Sequence, residues 1–524
     1  MVFIVPLLLL YCSSIVPLFL ALFSGGALRR ARSAPDHEPR LASRKRGAHA
    51  STMSTTGAKF DYDLAVIGGG SGGYAAARTA VAEGLKTVVI EGGAEVGGLC
   101  ILRGCMPTKA LLYAAEVLHL ASHPEPWGIR TADVSFDFTQ VMARKDALIR
   151  DFADYRRQQL TSGKFKFLRA LVRFTDPHTL ELSTGGKLTA ANFVIATGSV
   201  VAPPPLPQLE GAGYLTSDTA LSLARLPKSL IVLGGGPVAV ELAQFFARFR
   251  VRVTLVQRSA HVLSKLDDDA SGALENVFRR EGIDLYASTK PLDARRVEDG
   301  KEVAFEHNGQ PVRVRAEEIL FALGRVPNIA SLGLEGIGVR VEDRRIATNA
   351  QMQTSLPHVY AAGDCTGLRE IVHIAIQQGE VAAHNAAHPG QMKQMDYRLL
   401  TEVVFTEPQV AVVGLTEKAA RGANRPYLAA SYPFNDHGKS LIMEAKDGFV
   451  KLLADPAGGE IIGGCCVGPV GGELIHEIIA AMHKRMTVHE LAAMPHYHPT
   501  LAEIWTHPAE ELADQVPSPR FLKG

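Results

Sequence analysis

One local pattern occurs twice in this chain, and it constrains the fold more than anything else. Residues 62–67 (YDLAVI) form an apolar run that leads into Gly68-Gly69-Gly70-Ser71-Gly72-Gly73. A small-residue stretch with helical character follows, and then a second apolar run, TVVI, ending at Glu91. Strand, glycine turn, helix and strand in that order predict a βαβ unit with G-x-G-x-x-G at Gly68, Gly70 and Gly73. Such glycines let the backbone approach a pyrophosphate at a helix N-terminus, where free N–H groups and the dipole favour anions. Glu91, at the end of the second strand, is placed to accept hydrogen bonds from ribose hydroxyls.

The pattern returns at residues 229–233 (SLIVL), which lead into Gly234-Gly235-Gly236-Pro237-Val238-Ala239 and, after a helix, the strand VRVTLV. Gly234 to Gln257 repeats the spacing of Gly68 to Glu91. Ala239 stands in the third glycine's place and is small enough for close helix packing. Two such sites predict two dinucleotides, and FAD with a nicotinamide is the usual pair. The second site has Gln257 and Arg258 where the first has its acid. A carboxylate there repels a 2′-phosphate and an arginine binds one, so NADPH is favoured over NADH.

Between the two units lies GGAEVGGLCILRGCMPTKALLYAAEVL. Cys100 and Cys105 are separated by four residues and are placed at the start of a helix, where thiolates are favoured, with Arg103 and Lys109 acting in the same sense. Zinc would need two further ligands, and no Cys or His follows Cys105 within ten residues, so no metal is expected. The remaining cysteines have quieter settings. Cys465 and Cys466 adjoin on an apolar strand and should point to opposite faces as packing residues. Cys365 is expected in the core. Near the C-terminus, His498-Pro499-Thr500 and Glu503 pair an imidazole that titrates near neutrality with a carboxylate able to fix its tautomer, which suits acid–base work on a dithiol. His496 is secondary.

GGLCILRGCMPTK resembles the redox signature of the class I pyridine nucleotide–disulfide oxidoreductases, which include dihydrolipoamide dehydrogenase, glutathione reductase and mercuric reductase. The resemblance covers about residues 60–510. It continues through VIATGS (194–199), FALGRVPN (321–328), VYAAGDCTG (359–367), VVFTEPQVAVVGLTE (403–417) and HYHPTLAEIW (496–505). It implies that Cys105 lies next to the flavin and that Cys100 exchanges with substrate. Lys109 would sit against FAD, Asp364 would bind its ribityl chain, and Glu241 would lie near nicotinamide and flavin. Thr197, Gly198 and Gly324 fall in the matching FAD and nicotinamide motifs. His498 and Glu503 would serve the disulfide of a partner subunit in a homodimer. The chain departs from the signature at Leu99, where Thr is usual, and at Ile101-Leu102, which replaces a pair normally ending in Asn.

The expected architecture is α/β, with two Rossmann-type dinucleotide-binding domains and a C-terminal α+β dimerisation domain. A discontinuous FAD domain (60–205 and 340–395) should flank a nicotinamide domain (206–339), followed by an interface domain (396–512). The expected activity is that of a dihydrolipoamide-dehydrogenase-like enzyme acting on a small or protein-bound disulfide. Mercuric reductase-like and glutathione reductase-like enzymes are the alternatives, but no cysteine follows Cys466 to hand over a metal. A redox-sensing flavoprotein would not need the HPTLAE motif.

The chain has 524 residues and a formal net charge of +1, with no basic run interleaved with aromatics after residue 60, so nucleic acid is not an expected partner. Six cysteines are too few for a secreted disulfide scaffold. Residues 1–23 carry no charge and are long enough to span a bilayer. No basic segment precedes them, and Arg29, Arg30 and Arg32 follow. By the positive-inside rule the remainder would stay cytoplasmic. Residues 31–58 suit a disordered linker, within the segment 1–59 that precedes the first domain. Met53 offers a second reading, as the natural start of a cytoplasmic enzyme.

Overall fold

The computed structural model describes residues 59–517. The apolar segment 1–23, the arginine cluster and Met53 lie outside the described residues. Among the described residues, no helix is long and apolar enough to cross a membrane.

Two parallel sheets are built on the same plan. In the first, Lys166–Arg169, Thr87–Glu91, Tyr62–Ile67, Lys187–Ile195 and Val359–Ala361 lie side by side in that order, all parallel. In the second, the order is Asp284–Tyr286, Arg252–Val256, Ser229–Leu233, Glu318–Phe321 and Leu215–Thr216, again all parallel. Each glycine turn leaves the central strand of its sheet. These strands are buried on both faces, which is why they read as unbroken apolar runs rather than alternating ones. The last strand of the first sheet comes from beyond the second sheet in sequence, so the chain leaves the first layer, builds the second and returns.

The helices that serve the site follow the glycine turns and the cysteines. Helix α1 is Ser71–Ala82, α2 is Gly98–Leu102, α3 is Cys105–Ser122, α4 is Pro237–Arg248 and α5 is Val372–Ala387. Helices α1 and α5 touch backbone to backbone. A Cβ on Gly379 would stand 2.2 Å from the carbonyl oxygen of Gly72, so alanine there would have to prise the pair apart.

The C-terminal sheet is antiparallel, in the order Thr401–Val404, Gln409–Gly414, Ile461–Gly468, Phe449–Ala454, Leu428–Pro433. One face packs with α3, α4 and the second parallel sheet in a shared core that includes Leu111, Phe245, Val412 and Cys465. Its other face packs beneath the helix Gly471–His483, in a core that includes Cys466, Ile478 and Trp505. The adjacent cysteines therefore point to opposite faces, as strand alternation requires. Cys365 is fully buried and its thiol lies within hydrogen-bond reach of the carbonyls of Ile195 and Ala362.

Candidate active site

The first glycine turn is shaped by backbone contacts that only glycine allows. Gly68 has φ +108°, and a Cβ there would lie 2.3 Å from the carbonyl oxygen of Ala196. A Cβ on Gly73 would lie 1.9 Å from the oxygen of Gly68. Gly70 caps α1 with no side chain, leaving the helix's first N–H groups without a side-chain partner. Glu91 reaches back to this turn: its carboxylate accepts from the N–H of Gly69 at 2.8 Å and of Gly93 at 2.7 Å. It thus fixes the loop and keeps lone pairs for a further donor. Beside the turn, Gly198 adopts φ +68° and the buried Thr197 hydroxyl has no partner. Ser199 donates to Asp364 at 2.7 Å, tying the returning segment to this edge.

The second turn repeats the geometry. Gly234 has φ +118°, and a Cβ there would meet the Ala322 carbonyl oxygen at 2.4 Å. Gly236 caps α4 and has open space around it, while Ala239 is fully buried. Gln257 takes the place of Glu91, packed against Gly235, with its Oε1 accepting from the N–H of Arg258 at 2.9 Å. The Arg258 side chain is exposed, and Gly324 follows the adjacent strand with φ +117°.

The two redox candidates occupy separate helices. Cys100 lies within α2 and only Cys105 opens the long helix α3, a refinement of the expected single helix start. Both are half-buried and carry free thiols. The Cys100 thiol hydrogen-bonds to Cys105, and this, together with the nearby Lys109 ammonium, holds Cys105 down at about 7. The same contact, with burial, pushes Cys100 up. Cys105 is therefore the thiolate of the pair. Arg103 plays no such part, because its guanidinium is turned to Glu95 on the surface.

Lys109 is itself held. Its Nζ lies 2.9 Å from both carboxylate oxygens of Glu241, which is 3 % exposed on α4. Glu241 Oε1 also accepts from the N–H of Phe405 at 2.9 Å, and the Lys109 ammonium sits over the Phe405 ring. One buried carboxylate thus joins the cysteine helix, the second dinucleotide unit and the C-terminal segment. Gln244, one turn further along α4, adds a two-way backbone clasp on Glu407.

His498 and Glu503 form a pair, with Nδ1 3.0 Å from Oε2 and 3.2 Å from Oε1. The imidazole side chain is 78 % exposed and makes no hydrogen bond to either cysteine of its own chain among the described residues. Glu503 is mostly covered, and behind it lies a residue the motif did not announce. His437 is 2 % exposed, with Nε2 3.4 Å from Glu503 Oε1 and Nδ1 2.8 Å from the Ser440 hydroxyl. Burial holds its pKa below the usual histidine range, so the ring is neutral. No local pattern marks His437, which sits alone in a polar turn. His496 pairs separately with Glu477 at 2.6 Å.

Comparison with known proteins agrees with this geometry. Residues 62–379 match the family described as pyridine nucleotide-disulphide oxidoreductase, and residues 400–509 match that family's dimerisation domain. The chain is 34 % identical to a dihydrolipoyl dehydrogenase of Bacillus subtilis, over 78 % of this chain and 89 % of that protein. The chain belongs to the pyridine nucleotide-disulphide oxidoreductases. This oxidoreductase is also 37 % identical to a dihydrolipoyl dehydrogenase of Thermus scotoductus (78 % and 88 % of the two chains) and 36 % identical to a mercuric reductase of Streptomyces lividans (76 % and 85 %). Among solved structures, LpdA of Mycobacterium tuberculosis superposes with a TM-score of 0.75 at 28 % identity, covering 86 % of this chain and 99 % of that one. The flavoprotein disulfide reductase RclA of Escherichia coli has the same fold, with a TM-score of 0.76 at 23 % identity over 86 % and 99 % of the two chains.

A pyridine nucleotide-disulphide oxidoreductase uses FAD and a pyridine nucleotide. The first turn fits FAD: a tight turn whose backbone contacts exclude a Cβ at Gly68 and Gly73, an uncapped helix start and an orphaned Thr197 hydroxyl at its edge. The matched dimerisation domain points to a homodimer.

Proposed function

We propose that this oxidoreductase moves electrons between dihydrolipoamide-type dithiols and NADP(H). The observation that carries the reading is the pairing of a low-pKa thiolate at Cys105 with an exposed His498–Glu503 dyad in one chain. The names of the relatives, dihydrolipoyl dehydrogenases foremost, support the substrate class.

Gly68, Gly70, Gly73, Glu91, Lys109, Thr197, Gly198 and Asp364 would hold FAD, which supplies the two-electron carrier between thiols and nicotinamide. Gly234, Gly236, Ala239, Arg258 and Gly324 would hold the nucleotide, with Glu241 at the junction through Lys109. The thiol chemistry belongs to the chain's own residues. In the oxidised protein Cys100 and Cys105 form a disulfide. His498 takes a proton from one substrate thiol, and Glu503 orients the ring and stabilises its charge. The substrate thiolate attacks the Cys100 sulfur and displaces Cys105 as a thiolate beside Lys109. The second substrate thiol releases its proton to solvent and its sulfur displaces Cys100, which leaves as a thiol with the proton held by His498. The substrate becomes a disulfide and the protein holds its two electrons as a dithiol. Because His498 is exposed and bonds neither cysteine of its own chain, the dyad serves the partner subunit in a homodimer.

The test is turnover by the purified FAD-loaded protein of dihydrolipoamide, glutathione disulfide and Hg(II), each with both nicotinamide cofactors. Dihydrolipoamide oxidation and lipoamide reduction should dominate. Faster turnover of glutathione disulfide or Hg(II) would reassign the substrate. A yellow protein that turns over none of them would leave a redox-sensing flavoprotein.

A further inference from the structure

Helices α1 and α5 run parallel and end together, and a cluster of possible metal ligands stands where they end. Gly72 near the start of α1 lies against Ala375 and Gly379 of α5, while Glu83, the C-cap of α1, lies against His384 and His388. His384 lies in the last turn of α5 and His388, four residues on, is its C-cap. His384 Nδ1 is 3.1 Å from Glu83 Oε1, and His388 Nε2 is 3.7 Å from Glu83 Oε2. One ligand atom from each residue falls within 4.8 Å of the other two.

We propose that Glu83, His384 and His388 bind one divalent transition-metal cation of the zinc class, with the remaining position open to water. The ligand types are those such cations take, and the spacings suit them. Metal–ligand bonds of about 2.0–2.1 Å in a tetrahedron place ligand atoms about 3.3 Å apart. The observed 3.1 Å, to Oε1, and 3.7 Å, to Oε2, lie on either side of that value, and all three ligand atoms fall within 4.8 Å of one another, so binding through one oxygen needs a small turn of the Glu83 carboxylate.

The tautomer of His388 is prepared, whereas His384 Nδ1 donates to Glu83 and gives up that proton when it takes the ion. His388 Nδ1 lies 3.2 Å from the carbonyl oxygen of His384, which can only accept, so the proton stays on Nδ1 and Nε2 offers its lone pair. The surroundings also call for a cation. A carboxylate at the C-cap of α1 stands at the negative end of that helix, and the negative end of α5 meets it there. The neighbouring Arg78 is paired with Glu380, and Lys393, though its charge bears on the carboxylate, forms no ion pair with it among the described residues. The backbone contact of Gly72 with Gly379 keeps the two helices from drifting, so the ligands need little ordering on binding. The bound ion would clamp the far end of the helix whose start is the first glycine turn, about 18 Å away at 1.5 Å per residue.

The site is tested with Zn²⁺ on FAD-loaded protein oxidised so that Cys100 and Cys105 are closed and take no metal. Competition against a chromophoric chelator should give one Zn²⁺ per chain with micromolar or tighter affinity. Alanine at either His384 or His388 should weaken it by at least about tenfold, and Glu83→Gln should weaken it as well. Zn²⁺ should raise the thermal midpoint of the wild type and leave that of a His384→Ala/His388→Ala double variant unmoved. Co²⁺ should give weak visible bands without the intense near-ultraviolet absorption of thiolate ligands. Wild-type protein that takes up no Zn²⁺ at 100-fold lower concentration than millimolar, roughly 10 µM, overturns the proposal. So does a double variant that keeps the circular dichroism spectrum and catalytic turnover of the wild type and binds Zn²⁺ equally well.

Discussion

Nε2 of the buried His437 lies 3.4 Å from Oε1 of Glu503, the carboxylate that also holds His498 Nδ1 at 3.0 and 3.2 Å. His437 Nδ1 lies 2.8 Å from the Ser440 hydroxyl, and in the tautomer in which that hydroxyl donates, the ring proton is on Nε2, toward the carboxylate. The N–H then lies close to Glu503 without completing a hydrogen bond, and His437 would act as a positioning residue through that carboxylate.

Removing that second histidine leaves more of the carboxylate's charge to His498. His437→Ala should lower kcat for dithiol oxidation by roughly fivefold to tenfold, well short of the 10²–10⁴-fold expected for loss of the base itself. The acidic limb of the pH–rate profile should move to higher pH. Because the neighbouring His507 bears on the same ring, the profile is also measured in a His507→Gln background. His437→Gln, which keeps an N–H near the carboxylate, should recover most of the activity and the original limb. An unmoved pH profile in His437→Ala would leave the residue a packing group only.

The thiolate assignment has its own pH signature. In the reduced protein, alkylation of Cys105 by iodoacetamide should rise with pH and reach half its plateau rate near pH 7, because the thiolate is the nucleophile and its pKa is held at about 7. Cys100→Ala removes the hydrogen-bond donor, and Lys109→Met removes the cation. Either should move the midpoint upward, toward the ordinary thiol value of about 8.5. A midpoint that stays near 7 in Cys100→Ala would mean that the partner thiol does not stabilise the thiolate.

Nucleotide choice rests on Gln257 and Arg258. Arg258 is exposed beside the second glycine turn and Gln257 packs against Gly235, so no carboxylate stands where a 2′-phosphate would bind. Steady-state kcat/KM should favour NADPH over NADH. Arg258→Ala should lower the NADPH value by about tenfold, or about 1.4 kcal/mol, and leave NADH nearly unchanged. A tenfold preference of the wild type for NADH, on the same conversion, would contradict the assignment.

Much of this site is legible in the sequence because it depends on backbone approach and helix ends. Gly68 and Gly234 are required by carbonyl oxygens 2.3 and 2.4 Å from where a Cβ would be, and a glycine motif is the direct trace of that constraint. The opposite orientation of Cys465 and Cys466 follows from strand alternation. What is hidden depends on pairings across long stretches of chain. The Lys109–Glu241 ion pair joins two sheets, and Glu241 reads in sequence only as an acid early in a helix. The Phe405 N–H on that carboxylate and the His437 ring behind Glu503 carry no local mark at all. Arg103 misleads for the same reason: proximity in sequence places it near the thiols, and the fold turns it toward Glu95. Glu91 is legible as a polar anchor, yet its hold on the N–H of Gly69 and Gly93 emerges only when the loop is closed.

Completion of the site by a second subunit predicts complementation. Cys100→Ser and His498→Ala homodimers should each be nearly inactive toward disulfide substrates. Dissociated, mixed and reassociated, they should recover activity, since one of the two sites in a heterodimer combines native Cys100 with native His498. Verified heterodimers without recovered activity would place His498 at its own chain's cysteines or away from the reaction.

Electrons from the nicotinamide cofactor should come to rest on Cys100 and Cys105, which anaerobic titration with NADPH followed by alkylation and peptide mass spectrometry will show. Oxidised FAD-loaded protein should take no label at either cysteine. After one equivalent of NADPH both should be labelled, while the buried Cys365, Cys465 and Cys466 remain unmodified. Reduction that bleaches the flavin and leaves Cys100 and Cys105 unlabelled would mean that the electrons stop at the flavin and the pair is not redox-active.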